Sequence, residues 1–351
     1  MLTKMLLGWV ARGLGRRLGE RRIRAAMDRL PPVPPRAPSA GERDLVRVAA
    51  VQAEAKPYRS LRAWIADLDA HCAEAARQGA DLVCFPEFFG VLPATLSPAV
   101  RFALRRAGGR AAAGGGGGKP PDLAGLLAPF AFLYERHLSL MARFARRYGV
   151  YVSCGTALAL EGGRVYNRHA LLAPNGAEVC HADKMHLTEA EQALGLSAGD
   201  ALGFAEFPIG RVALAVCMDA TYYETFRAAK ALGADYLLLP IGDMAAYDGW
   251  LALRGAQSRV SETGLCAVKA ALTSGAGFPL TFSGRAGVYL PLELGVPSEE
   301  SESERGARVV AAGLPLGRIR AFSPALFDRK NASLDRAAWA ETLARAKAQG
   351  R

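Results

Sequence analysis

The sequence has few of the features that bind metals or form disulfides. Its six cysteines include no Cys-x-x-Cys pair, and its five histidines are scattered, with none at metal-ligand spacing from another. Neither a zinc site nor a thioredoxin-like redox pair is therefore indicated. Most of the cysteines lie in apolar runs, which fits reduced thiols in a cytoplasm. We expect chemistry that needs neither a metal nor another cofactor.

Long uncharged apolar runs are also lacking. No stretch is long enough and uncharged enough to span a bilayer. The N-terminal segment is basic and apolar, but it lacks the uninterrupted apolar run and the small-residue cleavage site of a signal peptide. We expect a cytoplasmic protein, and the basic segment keeps open peripheral contact at the inner membrane surface.

Acidic side chains are scarce in the first 40 residues, which contain only Glu20 and Asp28 but nine lysines and arginines. The formal net charge of the whole chain is +11, so most of the excess lies in this short segment. A body that bound nucleic acid would need a basic surface of its own. We therefore expect no nucleic-acid partner.

Residues 1–30 predict an amphipathic helix, because apolar residues recur at helical spacing with arginines between them. These apolar residues are Leu2, Met5, Leu6, Trp9, Val10 and Leu14. The stretch from Leu30 to Pro38 is rich in proline, which cannot continue a helix, and predicts a stiff linker. Residues 1–43 are thus predicted to be an arm and linker, and residues 44–351 one catalytic domain.

The apolar stripe of the arm needs a surface to cover it. Docking on protein is our first expectation. An anionic membrane is the second, because each basic residue near such a surface contributes about 1 kcal/mol.

From residue 44 onward, short apolar runs alternate with longer amphipathic ones, which indicates an α/β fold. The predicted strands are Leu45–Val51, Asp81–Phe85, Val150–Thr156, Val165–Leu172, Arg211–Cys217, Tyr236–Leu239, Leu265–Leu272 and Ala286–Leu290. The predicted helices are Leu61–Gln78, Leu123–Tyr148, Tyr223–Leu232, Gly249–Glu262 and Asp335–Ala348. Two further segments predict loops: Arg101–Pro121, which is rich in glycine, alanine and arginine and contains the run Gly114–Gly118, and the acidic Ser298–Glu304.

Glu87 stands at the end of an apolar strand, in Leu-Val-Cys-Phe-Pro-Glu-Phe-Phe. Strand ends facing a crevice are where α/β proteins place reactive groups. The aromatic neighbours Phe85, Phe88 and Phe89 would raise the proton affinity of the carboxylate by desolvation, which is how a glutamate becomes a general base near neutral pH. Taken alone, a solvated loop glutamate is an equally good interpretation.

Cys217 and Lys184 also follow strand-like segments, in Val-Ala-Leu-Ala-Val-Cys-Met-Asp and in His-Ala-Asp-Lys-Met-His-Leu. A thiol is a nucleophile as its thiolate and needs a base, whereas most strand cysteines are small buried hydrophobes. Cys84, Cys154 and Cys266 are interpreted as such hydrophobes. A fixed ammonium can stabilise an oxyanion, although a lone lysine would be an ordinary surface residue.

Together, the motifs Phe-Pro-Glu, Asp-Lys-Met-His-Leu and Ala-Val-Cys-Met-Asp occur in an order and at a spacing that resembles the nitrilase superfamily of carbon-nitrogen hydrolases. The likeness extends from about Val46 to Leu290. It implies a four-layer α-β-β-α sandwich without a cofactor. It also implies that Glu87 is the general base, Lys184 the oxyanion stabiliser, and Cys217 the nucleophile that forms a thioester acyl-enzyme.

The resemblance implies further site residues. A second glutamate often follows the lysine of this family, and Glu191 matches best, with Glu189 as the runner-up. Its expected work is to orient the lysine and the substrate amine or the water. Met218 would offer its backbone amide to the oxyanion, while Asp219 would hold the turn. The candidate pocket-wall residues, for which core packing is an equally good interpretation, are Tyr222, Tyr223, Met244 and Trp250.

The leading functional interpretation is an amidohydrolase. Cys217 would attack a non-peptide carboxamide of a small-molecule substrate, the amine would leave, and water would cleave the thioester. The alternative is an N-acyltransferase of the same superfamily, acting at a membrane surface on lipid or lipidated substrates. The basic arm favours this alternative, but the membrane-spanning helices of the comparable transferases are lacking.

Two other interpretations are weaker. Nitrilases that act on a C≡N bond tend to show Cys-Trp-Glu at the nucleophile, whereas this chain has Cys217-Met218-Asp219. A scaffold protein without turnover would not need all of Glu87, Lys184 and Cys217. The resemblance also implies a homo-oligomer, at least a dimer.

Overall fold

The computed structural model describes residues 2–33, 45–112, 128–244, 247–249 and 256–322, together with 341 and 344–345. Four predicted features lie wholly or largely outside the described residues. They are the linker beyond residue 33, the run Gly114–Gly118, Trp250, and the helix predicted for Asp335–Ala348.

Helices and strands alternate along the chain. The helices are α1 (Leu2–Arg17), α2 (Glu20–Met27), α3 (Leu61–Arg77), α4 (Pro98–Ala112), α5 (Phe132–Tyr148), α6 (Glu189–Ala193), α7 (Tyr223–Ala231) and α8 (Ala256–Thr263). The strands are β1 (Leu45–Ala55), β2 (Leu82–Cys84), β3 (Tyr151–Glu161), β4 (Arg164–Leu172), β5 (Glu178–Asp183), β6 (Gly203–Phe207), β7 (Gly210–Leu214), β8 (Tyr236–Ile241), β9 (Cys266–Ser274), β10 (Gly287–Tyr289), β11 (Glu299–Glu300) and β12 (Arg308–Pro315). Short 3₁₀ helices cover Phe89–Leu96, Ala128–Phe130, Cys217–Thr221 and Leu292–Leu294.

The described strands form one twelve-stranded sheet with the main order β5-β4-β3-β2-β1-β9-β8-β7-β6. Along most of its length β1 pairs with the antiparallel β12, and it meets β9 only from Gln52 to Ala55. Because β12 occupies the edge that β9 would otherwise take, the two halves of the sheet separate and fold over each other. At the far edges β5 lies against β6, so the sheet is nearly closed into a barrel.

The side chains of this sheet build a four-layer core. Val48 and Leu238 belong to the inner core between the two halves of the sheet. Val51 faces the other way and packs with Leu68 in the layer of α3 and α5. Phe226 of α7 belongs to the opposite helical layer, which covers β7, β8 and β9. The predicted α/β class and α-β-β-α sandwich are therefore confirmed.

Two predicted elements differ from the structure. The single helix expected for residues 1–30 is two helices, because Gly19 adopts an extended conformation (φ −65°, ψ 146°) between α1 and α2. The segment Arg101–Ala112, predicted as a loop, continues α4. Its alanines and arginines favour a helix more than its glycines oppose one.

The arm packs on the catalytic body through a face that includes Leu14, a member of the predicted stripe, but excludes Trp9. Leu14, Leu18 and Ile23 are only 1–3% exposed and belong to the same core as α3 and α5. Trp9, by contrast, is 70% exposed, with the guanidinium of Arg12 5.6 Å from its ring. The helical rotation of α1 thus directs leucines towards protein and leaves the tryptophan in solvent.

This arrangement predicts unequal effects of two substitutions in the arm. Leu14→Ala should lower the free energy of unfolding by about 2–5 kcal/mol, because it leaves a cavity in the core. Trp9→Ala, the matched control on the exposed face, should change it by no more than about 0.5 kcal/mol. Denaturant unfolding of the full chain measures both. Equal, small effects would contradict the docking of the arm.

None of the helices within the described ranges is both long and apolar enough to cross a bilayer. The same residues contain no group of three or more histidine, cysteine, aspartate or glutamate side chains that could hold a metal ion. All six cysteines are free thiols, and four of them are buried.

Candidate active site

Three separate strands end at one cavity and bring together the three residues predicted to be catalytic. Glu87 follows β2, Lys184 directly follows β5, and Cys217 follows β7. All three line a cavity of about 530 Å³. The carboxyl ends of strands are where α/β proteins present reactive groups, so the topology gives these distant residues a common position.

Lys184 lies between two carboxylates. Its Nζ donates to Glu87 Oε1 at 2.9 Å and to Glu191 Oε1 at 3.0 Å, and its side chain is only 1% exposed. Burial acts to lower the pKa of this ammonium, but the charges of Glu87, Cys217 and Glu191 outweigh burial and raise it. The lysine therefore stays protonated, as an oxyanion stabiliser requires.

Glu191, rather than Glu189, joins this cluster. The first turn of α6 fixes its side chain, because Thr188 caps the helix and both Thr188 N and Thr188 Oγ1 donate to Glu191 Oε2 at 2.9 Å. Lys184 Nζ lies 3.0 Å from Glu191 Oε1 and 2.8 Å from Glu191 Oε2, so both oxygens of this carboxylate face the ammonium. Glu191 is buried, whereas Glu189, two residues earlier, is exposed.

The two glutamates offer a matched pair of substitutions. Glu191→Gln should lower kcat/KM by about 10²-fold, because it removes the charge that holds the ammonium of Lys184 in place. Glu189→Gln should leave kcat/KM within about twofold of the native value, because an exposed charge is screened by solvent. Steady-state kinetics with equal amounts of folded enzyme measure both. The opposite order of effects would make Glu189 the second glutamate.

Asn167 is a site residue that the sequence analysis missed. It lies on β4, fully buried, and its Nδ2 donates to Glu87 Oε1 at 2.9 Å and to Glu191 Oε1 at 3.0 Å. Its backbone carbonyl accepts from Lys184 N. Its strand also contains Arg168 and His169, so the strand pattern did not single out Asn167.

The backbone at Cys217, the predicted nucleophile, is strained. Cys217 has φ 44° and Phe88, directly after Glu87, has φ 59°; these are the two non-glycine residues with positive φ in the described part of the chain. Backbone strain of this kind persists where the surroundings impose it and clusters at functional sites. Here Asp219 fixes the turn, since its Oδ2 accepts from Val216 N and its Oδ1 from His186 N.

The thiol and its base are arranged for proton transfer. Burial, followed by the charge of Glu87, raises the pKa of Cys217 well above its usual range, so the resting thiol is neutral. Burial also raises the pKa of Glu87. The Glu87 carboxylate also interacts with the Cys217 side chain by a hydrogen bond. Glu87 Oε2 is buried and has no other hydrogen-bond partner among the described residues, so this oxygen is open to the thiol proton.

Gly242 lets the base and the thiol come together. The residue follows β8, and its backbone acts on Cys217 by a hydrogen bond that lowers the pKa of the thiol. A side-chain carbon at this position would lie only 3.2 Å from Glu87 Oε2. This role could not be predicted from the sequence, because a glycine after a strand is common.

The predicted pocket wall is only partly right. Met218 and Met244 line the cavity, and Trp250 lies outside the described residues. Tyr222 and Tyr223 are not among the lining residues, which is a correction. Tyr222 stacks on His186 at a ring distance of 4.0 Å, and Tyr223 packs under two arginines, because the chain turns away from the cavity as α7 begins.

The cavity wall also contains a buried cation. Lys269 of β9 donates to Glu300 Oε1 at 3.2 Å and lies 4.7 Å from the ring centre of Tyr289. Burial lowers the pKa of this lysine, while Glu300 opposes the shift. Glu300 belongs to β11, so the acidic segment predicted as a loop contains a short exposed strand, and one of its carboxylates reaches the wall of the cavity.

A family model described as carbon-nitrogen hydrolase matches residues 47–257, a range that contains Glu87, Lys184 and Cys217. The chain belongs to the carbon-nitrogen hydrolase family. The chain is 25% identical over 196 residues to "Probable hydrolase YhcX" of Bacillus subtilis (strain 168), and this match covers 56% of the chain and 34% of that protein.

The hydrolase is also 27% identical over 154 residues to the deaminated glutathione amidase of Synechocystis sp. (strain PCC 6803 / GT-S), over 36% of the chain and 56% of that protein. It thus spans less than two thirds of either curated relative. Its fold is similar to that of an amidase from Nesterenkonia sp. AN1 solved in complex with acrylamide. The TM-score is 0.64 at 20% identity, covering 88% of the hydrolase and 99% of that chain.

Proposed function

We propose that this carbon-nitrogen hydrolase is an amidohydrolase that cleaves a small carboxamide through a thioester on Cys217. The observation that carries the proposal is the buried cluster of Glu87, Lys184 and Cys217 at one cavity. A neutral thiol, a carboxylate with an open oxygen and a fixed ammonium are the three groups that thiol-dependent acyl transfer needs.

The first half of the reaction forms the thioester. Glu87 Oε2 takes the proton of the Cys217 thiol as sulfur attacks the carboxamide carbon. Lys184 Nζ and the backbone amide of Met218 stabilise the oxyanion that develops on the carbonyl oxygen. The C–N bond then breaks, and the protonated Glu87 gives its proton to the leaving nitrogen, which departs as ammonia or an amine.

The second half releases the acid. Water enters the space left by the amine, and Glu87 accepts one of its protons as the oxygen attacks the thioester carbon. Lys184 again faces the oxyanion. Collapse of this intermediate breaks the C–S bond, frees a carboxylic acid and returns the proton to the sulfur, so that Glu87 and Cys217 regain their starting forms.

The comparisons support an amide as the substrate class. The Synechocystis relative is named an amidase, and so is the structural neighbour from Nesterenkonia. The cavity supports a substrate with an apolar part, because Leu194, Leu239 and Ile241 lie in its wall beside the polar groups.

Ammonia release from a panel of primary carboxamides tests this proposal. We expect turnover with at least one small aliphatic or aromatic carboxamide and, in acid-quenched samples, an intact mass increased by the acyl group. Folded enzyme that releases no ammonia from any amide and accumulates no acyl adduct would contradict the proposal.

An N-acyltransferase that acts at a membrane surface is the second candidate. The exposed Trp9, beside Arg12 on a basic helix, is the observation that favours it, since such faces contact anionic headgroups. The distinction lies in the acceptor of the acyl group. A product distribution dominated by transfer to an added amine, even at low amine concentration, would replace the hydrolase with the transferase.

A further inference from the structure

A concave surface lined by five arginines lies where the arm meets the catalytic body, and we call it the arginine pocket. Its volume is about 460 Å³. The arm contributes Arg17, Arg22 and Arg29, and the body contributes Arg59 and Arg62 at the start of α3. The other lining residues are Ala25, Ala26, Ser60, Leu61 and Leu96, so no acidic side chain lines the pocket.

The acidic side chains of the described residues do not pair with the arginines of the pocket. None of the five arginines forms an ion pair within the described part of the chain, where the nearby acids Glu20 and Asp69 pair with arginines of α5 instead. The positive charge of the pocket also acts on Arg101. Burial lowers the pKa of Arg101, and the charges of Arg59 and Arg17 lower it further.

The fold holds these like charges together. Arg17 Nη1 donates to the carbonyl of Leu96 at 2.7 Å, which ties the arm to the floor of the pocket. Leu18 and Ile23, each next to a pocket arginine in the chain, are buried and fix the backbone. The five arginine side chains are exposed around this one concave surface, so they are accessible to an anionic ligand, which such a concentration of positive charge attracts.

The start of α3 adds to the same field. Ser60 is the N-cap of this 17-residue helix, and both Ser60 and Leu61 line the pocket. The first amides of a helix lack intrahelical acceptors and carry the positive end of its dipole, so they favour an anion. The five guanidinium groups and the helix terminus therefore act on one volume.

We propose that the arginine pocket binds a phosphate group, carried either by a free phosphate compound or by the headgroup of an anionic phospholipid. Guanidinium groups bind phosphate oxygens in a bidentate manner, and several around one volume suit a group with three or more acceptor oxygens. Because the arginines come from both sides of the junction, the bound phosphate bridges the arm and the body and stabilises the docked arm.

Calorimetric titration of the full chain with inorganic pyrophosphate at low ionic strength tests the site. We expect saturable binding to one site that weakens as salt is added. Arg22→Gln and Arg59→Gln, one on each side of the junction, should each weaken binding by about tenfold or more. Neither should lower the melting temperature, because each removes a repulsive charge from an exposed position.

The matched controls are Arg21→Gln and Arg24→Gln, which remove the same charge from exposed positions of α2 outside the pocket. Each should change the pyrophosphate affinity by less than about threefold. If the controls weaken binding as much as the pocket variants, a diffuse basic surface is responsible and the proposal fails. It also fails if neither pyrophosphate nor anionic vesicles bind.

Sedimentation with phosphatidylglycerol vesicles, compared with phosphatidylcholine vesicles, separates the two sources of phosphate. Binding to the anionic vesicles that is weakened by Arg22→Gln, by Arg59→Gln and by added pyrophosphate assigns the lipid headgroup. Pyrophosphate binding without vesicle binding assigns a free phosphate compound. If pyrophosphate does not bind and both pocket variants bind the vesicles as well as the native protein does, the proposal is overturned.

Discussion

Replacing Cys217 with alanine should abolish turnover, with a loss in kcat/KM of about 10⁴-fold or more, and leave the fold intact. Cys217 is the one cysteine among the described residues that line the cavity, so no other thiol there can replace the nucleophile. The substitution removes only a sulfur atom. It also takes away a buried thiol that lies next to the charge of Glu87.

Cys84→Ala is the matched control, because it removes a different thiol, one that lies close to Glu87 in the chain. Cys84 ends β2, lies 3.2 Å from Ser153 Oγ, and has a pKa that burial raises to about 12, so its thiol is neutral and unreactive. We expect some loss of stability but native activity per folded molecule. Intact-mass analysis should find the acyl adduct in this variant and in the native enzyme, and none in Cys217→Ala. An adduct on Cys217→Ala would place the nucleophile elsewhere.

The alternation of strands and helices allowed the α/β class to be predicted. The meeting of Glu87, Lys184 and Cys217 was predicted from the resemblance of their three motifs to the nitrilase superfamily, because each residue taken alone had an ordinary interpretation as well. The same resemblance favoured Glu191 over Glu189, and the structure shows the physical reason, since the Thr188 cap directs the side chain of Glu191 inward.

The rest depended on contacts between segments far apart in the chain. Asn167 gains its role only when β4 lies beside Glu87, and Lys269 only when β11 brings Glu300 to it. The buried face of the arm was predicted only in part for the same reason. Leu14 of the predicted stripe is buried together with Leu18, whereas Trp9 of the same stripe is exposed. The expected homo-oligomer stays a prediction.

Glu87→Gln should lower kcat/KM by about 10²–10⁴-fold, the usual contribution of a general base, and should also change the dependence of the rate on pH. In the native enzyme, burial raises the pKa of Glu87, and only the ionised carboxylate can accept the thiol proton. Activity should therefore fall as the pH decreases through this raised pKa, at a higher pH than the value of about 4.3 for a solvated glutamate.

Asn167→Ala provides the internal check on this assignment. Asn167 donates to the ionised carboxylate of Glu87, so its loss disfavours the charged form and should move the acid limb of kcat/KM to still higher pH. Glu87→Gln should remove that limb, while Glu189→Gln should keep the native profile. A Glu87→Gln enzyme that retains both the acid limb and most of the native rate would show that another group receives the proton of Cys217.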